Sequence, residues 1–188
     1  GSLLRESLES IVTSSERAAE LCRQMLAYSG RGRFVVVPVS LNDMVNEIGQ
    51  LLTVTVSKRV TLVFEPELTL PLVQADATQI RQIVMNLITN ASEAIGDREG
   101  TIRMSTGQHV WSSADVGMHI LGGELRESQA YAYVRVSDNG SGMDSATLHR
   151  IFDPFFTTKF TGRGLGLAAV LGIVRGHRGA IRVESTPG

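Results

Sequence analysis

The chain lacks the features that would mark a secreted, membrane-spanning or nucleic-acid-binding protein. Its 188 residues include one cysteine, Cys22, which excludes an internal disulfide and favours a reducing, cytoplasmic compartment. No apolar run is long enough to span a membrane, and no signal peptide is visible. Acidic and basic residues nearly cancel to a formal net charge of −1, so no nucleic-acid partner is expected and any phosphate site must be local.

The length suits one full domain preceded by an additional helix. Near the N-terminus, apolar or small residues recur at alternating steps of four and three, the spacing of a helix in a coiled coil or bundle. They are Leu4, Leu8, Ile11, Ser15, Ala18, Cys22 and Met25. Packing of this helix on its own domain is the alternative. Gly30 and Gly32 then interrupt the helix and predict a boundary near residue 33.

The remaining residues, 34–188, predict a mixture of helices and strands. Helices are predicted at 40–57, with Ser40 or Asn42 as N-cap, and at 76–95, between Asp76 as N-cap and Gly96. Two further helices are predicted, at 144–151 and 165–175. The segments that favour strands are 61–65, 69–74, 101–110, 129–137 and 180–184. The segment 111–128 carries mixed signals and is interpreted as a hairpin or loop.

Polar side chains form a stripe beside the apolar face of the predicted helix 76–95. At about 100° per residue, Asn86, Asn90 and Glu93 fall on this stripe. Amide oxygens are neutral, hard ligands that can complete a Mg2+ shell already supplied with phosphate oxygens and water. The stripe therefore predicts a site for a metal-nucleotide. A plain solvated face is the alternative for an Asn-x-x-x-Asn spacing taken alone.

The motif DNGSGM at 138–143 places a carboxylate at the end of an apolar strand, followed by two glycines. Asp138 can accept a hydrogen bond from the exocyclic amine of adenine, whereas guanine presents an oxygen at that place. Gly140 and Gly142 permit backbone conformations that other residues resist. An ordinary turn with a solvated Asp is the alternative, and a calcium loop is disfavoured by the spacing of the acids.

The motif GRGLGL at 162–167 opens a predicted helix, so free backbone N–H groups and the helix dipole can meet phosphate oxygens. It lacks the Lys-Ser/Thr of a P-loop and the glycine spacing of a dinucleotide-binding fingerprint. Just upstream, FDPFFTTK at 152–159 supplies aromatics that can anchor a lid and Lys159 as a cation for phosphates. A surface loop with a buried Phe pair is the alternative.

Taken in order, four motifs resemble those of the ATP-binding domain of sensor histidine kinases. NLITNASEAI at 86–95 resembles the N box, DNGSGM the first glycine box, FDPFFTTK the phenylalanine box and GRGLGL the second glycine box. The wider superfamily includes DNA gyrase, heat-shock chaperone ATPases and mismatch-repair ATPases. The resemblance covers nearly the whole chain. It implies an α+β fold, the two-layer Bergerat-type sandwich in which a mixed sheet packs on helices, preceded by a long N-terminal helix.

The resemblance also implies ATP and Mg2+ as cofactors and assigns roles to individual residues. Asn90 would coordinate Mg2+, Asn86 would support the phosphates and Asp138 would bind adenine. Asn86, Glu93 and Lys159 are the candidate catalytic residues. The other candidate nucleotide-binding residues are Gly140, Gly142, Met143, Phe155, Thr158, Gly162, Arg163, Gly164, Leu165, Gly166 and Leu167.

One position separates the branches of this superfamily. The hydrolysing ATPases carry a general-base Glu where this chain has Asn86, and an amide cannot take a proton from water. A neutral histidine imidazole already has a lone pair and needs no such base. The resemblance therefore implies a protein-histidine kinase. A hydrolysing ATPase of the same superfamily and a non-catalytic nucleotide-binding scaffold are the alternatives.

The resemblance divides the chain into 1–33, like the second helix of the dimerisation and phosphoacceptor hairpin plus a linker, and 34–188, the ATP-binding domain. We expect the natural protein to extend beyond both ends, with room for a membrane anchor, because Gly1-Ser2 resembles a cloning remnant and STPG at 185–188 resembles the start of a third glycine box. The hairpin helix with the phosphoacceptor histidine is not recognised here, so this fragment is not expected to autophosphorylate. The implied partners are that hairpin, a response-regulator receiver domain and a second copy through the N-terminal helix.

Overall fold

The computed structural model describes residues 35–52, 59–112, 120–123, 125–159 and 164–188, and in the N-terminal segment Arg5, Ser7, Leu8, Ile11, Val12 and Ser15. The described N-terminal residues are helical, and their side chains are exposed. The rest of the predicted N-terminal helix and the predicted interruption at Gly30 and Gly32 lie outside the described residues. None of the described helices is long and apolar enough to cross a membrane.

Seven strands in the described part of the chain form three small sheets. The central sheet has the order β2-β4-β6, formed by β2 (Val60–Glu65), β4 (Gly100–Val110) and β6 (Ala130–Asp138). It is mixed, because β2 runs parallel to β4 whereas β6 runs antiparallel to it. Two antiparallel pairs complete the set: β1 (Val37–Val39) with β3 (Val73–Ala75), and β5 (Ile120–Gly122) with β7 (Ala180–Arg182).

Helices α1 (Leu41–Leu52) and α2 (Ala77–Ile95) pack their apolar faces on the central sheet. Their buried side chains meet Ile102 and Met104 of β4, and this burial is the main favourable contribution to the fold. Helix α4 (Gly166–Gly176) lies beside α2 and buries its residues from Ala168 to Ile173, while α3 (Ser145–Leu148) is a single turn. The predicted α+β arrangement of a mixed sheet packed on helices is confirmed.

Asp76 and Gly96 limit α2 at the predicted positions. The Asp76 carboxylate accepts hydrogen bonds from the N–H groups of Thr78 and Gln79, at 3.0 and 3.2 Å, as expected of an N-cap. At the other end, Gly96 has φ 66° and donates its N–H to the Ser92 carbonyl. A left-handed residue stops the helix there, and glycine adopts that conformation without a side-chain clash.

Several predicted boundaries were wrong. The strand expected at 69–74 begins only at Val73, because the chain first makes a turn in which the Leu70 N–H donates to the Glu67 carbonyl. The helix expected at 144–151 ends at Leu148. Strand β1 was not predicted, since Pro38 obscures a three-residue edge strand. The segment 111–128, interpreted as a hairpin or loop, contains β5, whose partner β7 is far away in sequence.

Candidate functional site

The polar stripe of α2 faces the N-terminus of α4. Asn86 and Asn90 are half-buried on this stripe, and Glu93 is exposed. Gly166, the first residue of α4, lies so close to Asn86 that a Cβ added to it would be 3.4 Å from the Asn86 Oδ1. The preceding N-cap residue is Leu165, which has no polar group to cap the helix. The first N–H groups of α4 therefore point into a space bordered by the Asn86 amide.

Lys159, the last residue of the motif FDPFFTTK, contacts the same stripe. Its Nζ lies 3.4 Å from the Oδ1 of Asn90 and forms a salt bridge with the Oε2 of Glu93. The two charged side chains are 38% and 50% exposed. The structure thus brings the three candidate catalytic residues, Asn86, Glu93 and Lys159, to one side of α2.

The DNGSGM motif packs against the last turn of α2. A Cβ on Gly140 would lie 2.7 Å from the carbonyl carbon of Ala94, so only glycine fits this close approach. The Ser141 N–H donates to the Ala94 carbonyl at 3.0 Å. Asp138, at the exposed end of β6, accepts a hydrogen bond from the Gly140 N–H at 2.8 Å, which fixes the orientation of its carboxylate.

The last residues of the chain lie over this motif. Gly142 has φ +64°, and a Cβ there would be 1.9 Å from the Thr186 carbonyl oxygen. The N–H of Met143 donates to the Ser185 hydroxyl, and that of Gly188 donates to the Ser141 carbonyl, both at 2.9 Å. The sequence analysis missed the contacts of Ser185 and Thr186, because these residues come 42 or more positions after Met143 and Gly142, which they touch.

The phenylalanine motif is tied to Gly164. The Phe155 N–H donates to the Gly164 carbonyl at 2.9 Å. Gly164 has φ +64°, and a Cβ there would lie 2.4 Å from the Phe155 carbonyl carbon, so glycine is required. Phe155 is 66% exposed and Phe156 packs under the guanidinium of Arg150, 4.3 Å from the ring centre, so the alternative of a buried Phe pair does not hold.

The remaining candidates occupy different environments. Thr158 is exposed, whereas Met143 and Leu167 are half-buried. Leu165 is buried in the core, so its contribution to a nucleotide site would be limited to its backbone. Gly162 and Arg163 lie outside the described residues.

A hydrogen-bonded link between α2 and α4 was not foreseen. The Asp76 N–H donates to Nε2 of His177 at 3.0 Å, and Nδ1 of His177 lies 2.9 Å from the Ile173 carbonyl. Burial acts to raise the pKa of the Asp76 carboxyl, but hydrogen bonds from the N–H groups of Val35, Gln79 and Thr78, with the nearby His177, outweigh burial and lower this pKa. His177 therefore has a structural role, because it links the start of α2 to the last turn of α4.

A mixed sheet layered on helices, with a polar helix stripe facing a glycine-rich helix N-terminus, is the arrangement of an α+β domain that can hold a phosphate group. The family model for histidine kinase-, DNA gyrase B- and HSP90-like ATPases matches residues 75–188. The chain belongs to this family. The recognition of a histidine-kinase-type ATP-binding catalytic domain from four ordered motifs is confirmed.

Several known histidine kinases are similar to the chain. It is 34% identical over 185 residues to the signal transduction histidine-protein kinase AtoS of Escherichia coli (strain K12), covering 98% of this chain and 27% of AtoS. The solved catalytic domain of histidine kinase ThkA, in a nucleotide-free form, superposes with a TM-score of 0.56 at 28% identity over 76% of this chain and 80% of that chain. The complex of ThkA with the response regulator protein TrrA gives a TM-score of 0.61 at 25% identity, over 94% and 45%.

Proposed function

We propose that the domain binds Mg-ATP and presents its γ-phosphate to a histidine outside this chain, from which the phosphoryl group passes to a response-regulator aspartate. The chain spans about a quarter of the length of AtoS, so this activity belongs to a larger protein. The observation that carries the proposal is the position of Asn86. Its amide, rather than a carboxylate, borders the helix N-terminus at which the phosphates would lie.

The N-terminus of α4 supports the phosphate end of the proposed site. The first N–H groups of a helix have no partners within the helix, and the helix dipole adds positive potential at that end. Gly166 leaves room beside Asn86 for a phosphate oxygen, because a side chain there would touch the amide. In this position the Asn86 amide nitrogen can donate a hydrogen bond to a phosphate oxygen.

Asp138 supports recognition of adenine. Its carboxylate is exposed at the end of β6 and is oriented by the Gly140 N–H, and a carboxylate can accept further hydrogen bonds. The exocyclic amine of adenine is a donor, whereas guanine would set an oxygen against the negative charge. This arrangement favours ATP over GTP.

Asn90 fits the proposed role of metal ligand. Its Oδ1 accepts a hydrogen bond from the Lys159 ammonium at 3.4 Å, so a positive charge already lies beside this oxygen. When bound, Mg2+ would neutralise part of the charge on the phosphates. Lys159 would supply a second positive charge near them.

The choice of acceptor follows from the chemistry of the residue at position 86. Transfer to water requires a general base, and an amide has no basic lone pair to offer. Transfer to a neutral imidazole requires only that the acceptor nitrogen be in line with the leaving group. The domain is therefore suited to phosphoryl transfer to histidine and poorly suited to hydrolysis.

The division of the chain follows from its resemblance to sensor histidine kinases. Residues 1–33 would form the second hairpin helix and a linker, and 34–188 the ATP-binding domain. The exposed side chains of Leu8, Ile11 and Val12 support a helix that pairs with others, including a second copy. The similarity to ThkA, solved with a response regulator protein, supports a receiver domain as partner.

Calorimetric titration of the chain with ATP, in Mg2+ and in EDTA, tests the binding step. We expect binding that Mg2+ strengthens, accompanied by slow release of inorganic phosphate. Absence of ATP binding would favour a non-catalytic scaffold. Rapid hydrolysis that disappears in Asn86→Ala would favour a hydrolysing ATPase.

A further inference from the structure

Glu93 lies three residues after Asn90 on α2, and both side chains meet Lys159. We propose that Lys159 is a built-in cation that takes the place of Mg2+ beside Asn90 in the nucleotide-free domain, and that Glu93 is the positioning residue that holds it there. This inference rests on the proposed function. Glu93, which the sequence analysis names as a candidate catalytic residue, would then act through Lys159 as a positioning residue.

The metal and the ammonium compete for the same oxygen. Lys159 Nζ lies 3.4 Å from the Asn90 Oδ1, and a metal bound to that oxygen would be within a few ångströms of the ammonium. Two cations at that separation repel each other strongly in a partly buried site. Binding of Mg2+ at Asn90 therefore requires Lys159 to move away.

The ion pair can release Lys159 readily. The lysine side chain is 38% exposed and that of Glu93 is 50% exposed, so water screens their attraction and the pair is weak. Lysine also carries its charge on a flexible four-carbon stem, which lets the ammonium move from Glu93 to a phosphate oxygen. Glu93 thus opposes the transfer of Lys159 to the nucleotide without preventing it.

The two residues have opposite effects on ATP bound without metal. Lys159 is then the cation that neutralises phosphate charge, so its removal weakens the binding of metal-free ATP more than the binding of Mg-ATP. Removing the charge of Glu93 frees Lys159 and strengthens the binding of metal-free ATP. The quantity to measure is the Kd for ATP in EDTA divided by the Kd in Mg2+.

Calorimetry on the full chain tests this with Lys159→Gln, Glu93→Gln and the double variant. Relative to the unsubstituted chain, the ratio should rise at least about threefold in Lys159→Gln and fall at least about threefold in Glu93→Gln, the scale of an exposed ion pair. The double variant should match Lys159→Gln, because Glu93 acts through Lys159. Glu47→Gln is the matched control. It breaks the 2.8 Å ion pair between Arg81 on α2 and Glu47 on α1, at similar exposure, and should leave the ratio unchanged.

Each other outcome has a defined meaning. A double variant whose ratio is the product of the two single changes would show that Glu93 acts on the phosphates directly, which overturns the inference. Unchanged ratios in both single variants, with ATP still bound, would also overturn it. Failure of the unsubstituted chain to bind ATP would instead remove the proposed function on which the inference rests. Lys159→Met provides a second lysine variant, and urea midpoints identify any that does not fold.

Discussion

Two glycines of one motif should respond in opposite ways to the same substitution. In Gly166→Ala the new methyl group would lie 3.4 Å from the Asn86 Oδ1, an ordinary van der Waals contact at the start of α4. The fold should tolerate it, with stability unchanged or raised by up to about 0.5 kcal/mol, because Ala is a better helix former than Gly. The methyl group fills the space in which we place a phosphate oxygen. One lost charge-assisted hydrogen bond of about 1.5–3 kcal/mol would weaken ATP binding by roughly 10- to 150-fold.

Gly164→Ala is the matched comparison. Its φ of +64° disfavours any side chain, and the added Cβ would lie 2.4 Å from the Phe155 carbonyl carbon, so the backbone must move. We expect a loss of about 1–3 kcal/mol in the free energy of unfolding. Urea unfolding and calorimetric ATP titration of both variants measure the two effects. A phosphate oxygen does not lie beside Gly166 if Gly166→Ala binds ATP within twofold of the unsubstituted chain. The contrast between the two glycines is wrong if Gly166→Ala loses as much stability as Gly164→Ala.

Three further substitutions test separate parts of the account. Asn90→Ala removes one metal ligand, so it should weaken the binding of Mg-ATP by about tenfold and leave the binding of metal-free ATP nearly unchanged. Equal losses of affinity in Mg2+ and in EDTA would contradict the role of Asn90 as a metal ligand. Asp138→Asn leaves one acceptor oxygen for both the Gly140 N–H and adenine. Competition binding should therefore show a reduced preference for ATP over GTP. An unchanged preference would show that Asp138 does not recognise adenine. Asp76→Asn should cost about 1 kcal/mol at pH 7, because an amide has a single acceptor oxygen and its NH2 group cannot accept a hydrogen bond such as the one that Oδ2 now accepts from the Val35 N–H. Because the pKa of Asp76 is lowered in the folded state, its stabilising contribution is complete above the unfolded value of about 3.9 and is lost as the pH falls through the folded pKa. Urea unfolding should therefore show the difference shrinking below about pH 4, and a difference independent of pH would count against the charge.

Local signals were sufficient for the elements that carry the motifs. Asp76 and Gly96 mark the ends of α2 because both act through bonds to residues within four positions, which a sequence reading can see. The sequence did not predict strand β5, because the stability of this strand comes from pairing with β7, about 60 residues later, and not from its own composition. Strand β1 was missed because Pro38 obscures it and because its partner β3 is distant in sequence.

In the candidate site, too, local features were predicted and long-range contacts were not. The helical period placed Asn86, Asn90 and Glu93 on one stripe of α2, and the structure agrees. No periodicity could show that Lys159 reaches across to Asn90 and Glu93, because that contact depends on how two segments about 66 residues apart pack together. The pairing of Lys159 with Glu93 is what turns a list of candidate residues into a testable arrangement.

The central claim is that this domain transfers the γ-phosphoryl group of bound ATP to a histidine supplied by another segment, and not to water. The most direct measurement follows radiolabel from the γ-phosphate of ATP in a mixture of this chain and a separate hairpin from a related kinase that contains the phosphoacceptor histidine. We predict acid-labile label on the hairpin, none on this chain, and slow release of inorganic phosphate. Label on this chain alone, or fast phosphate release with an unlabelled hairpin, would contradict the account.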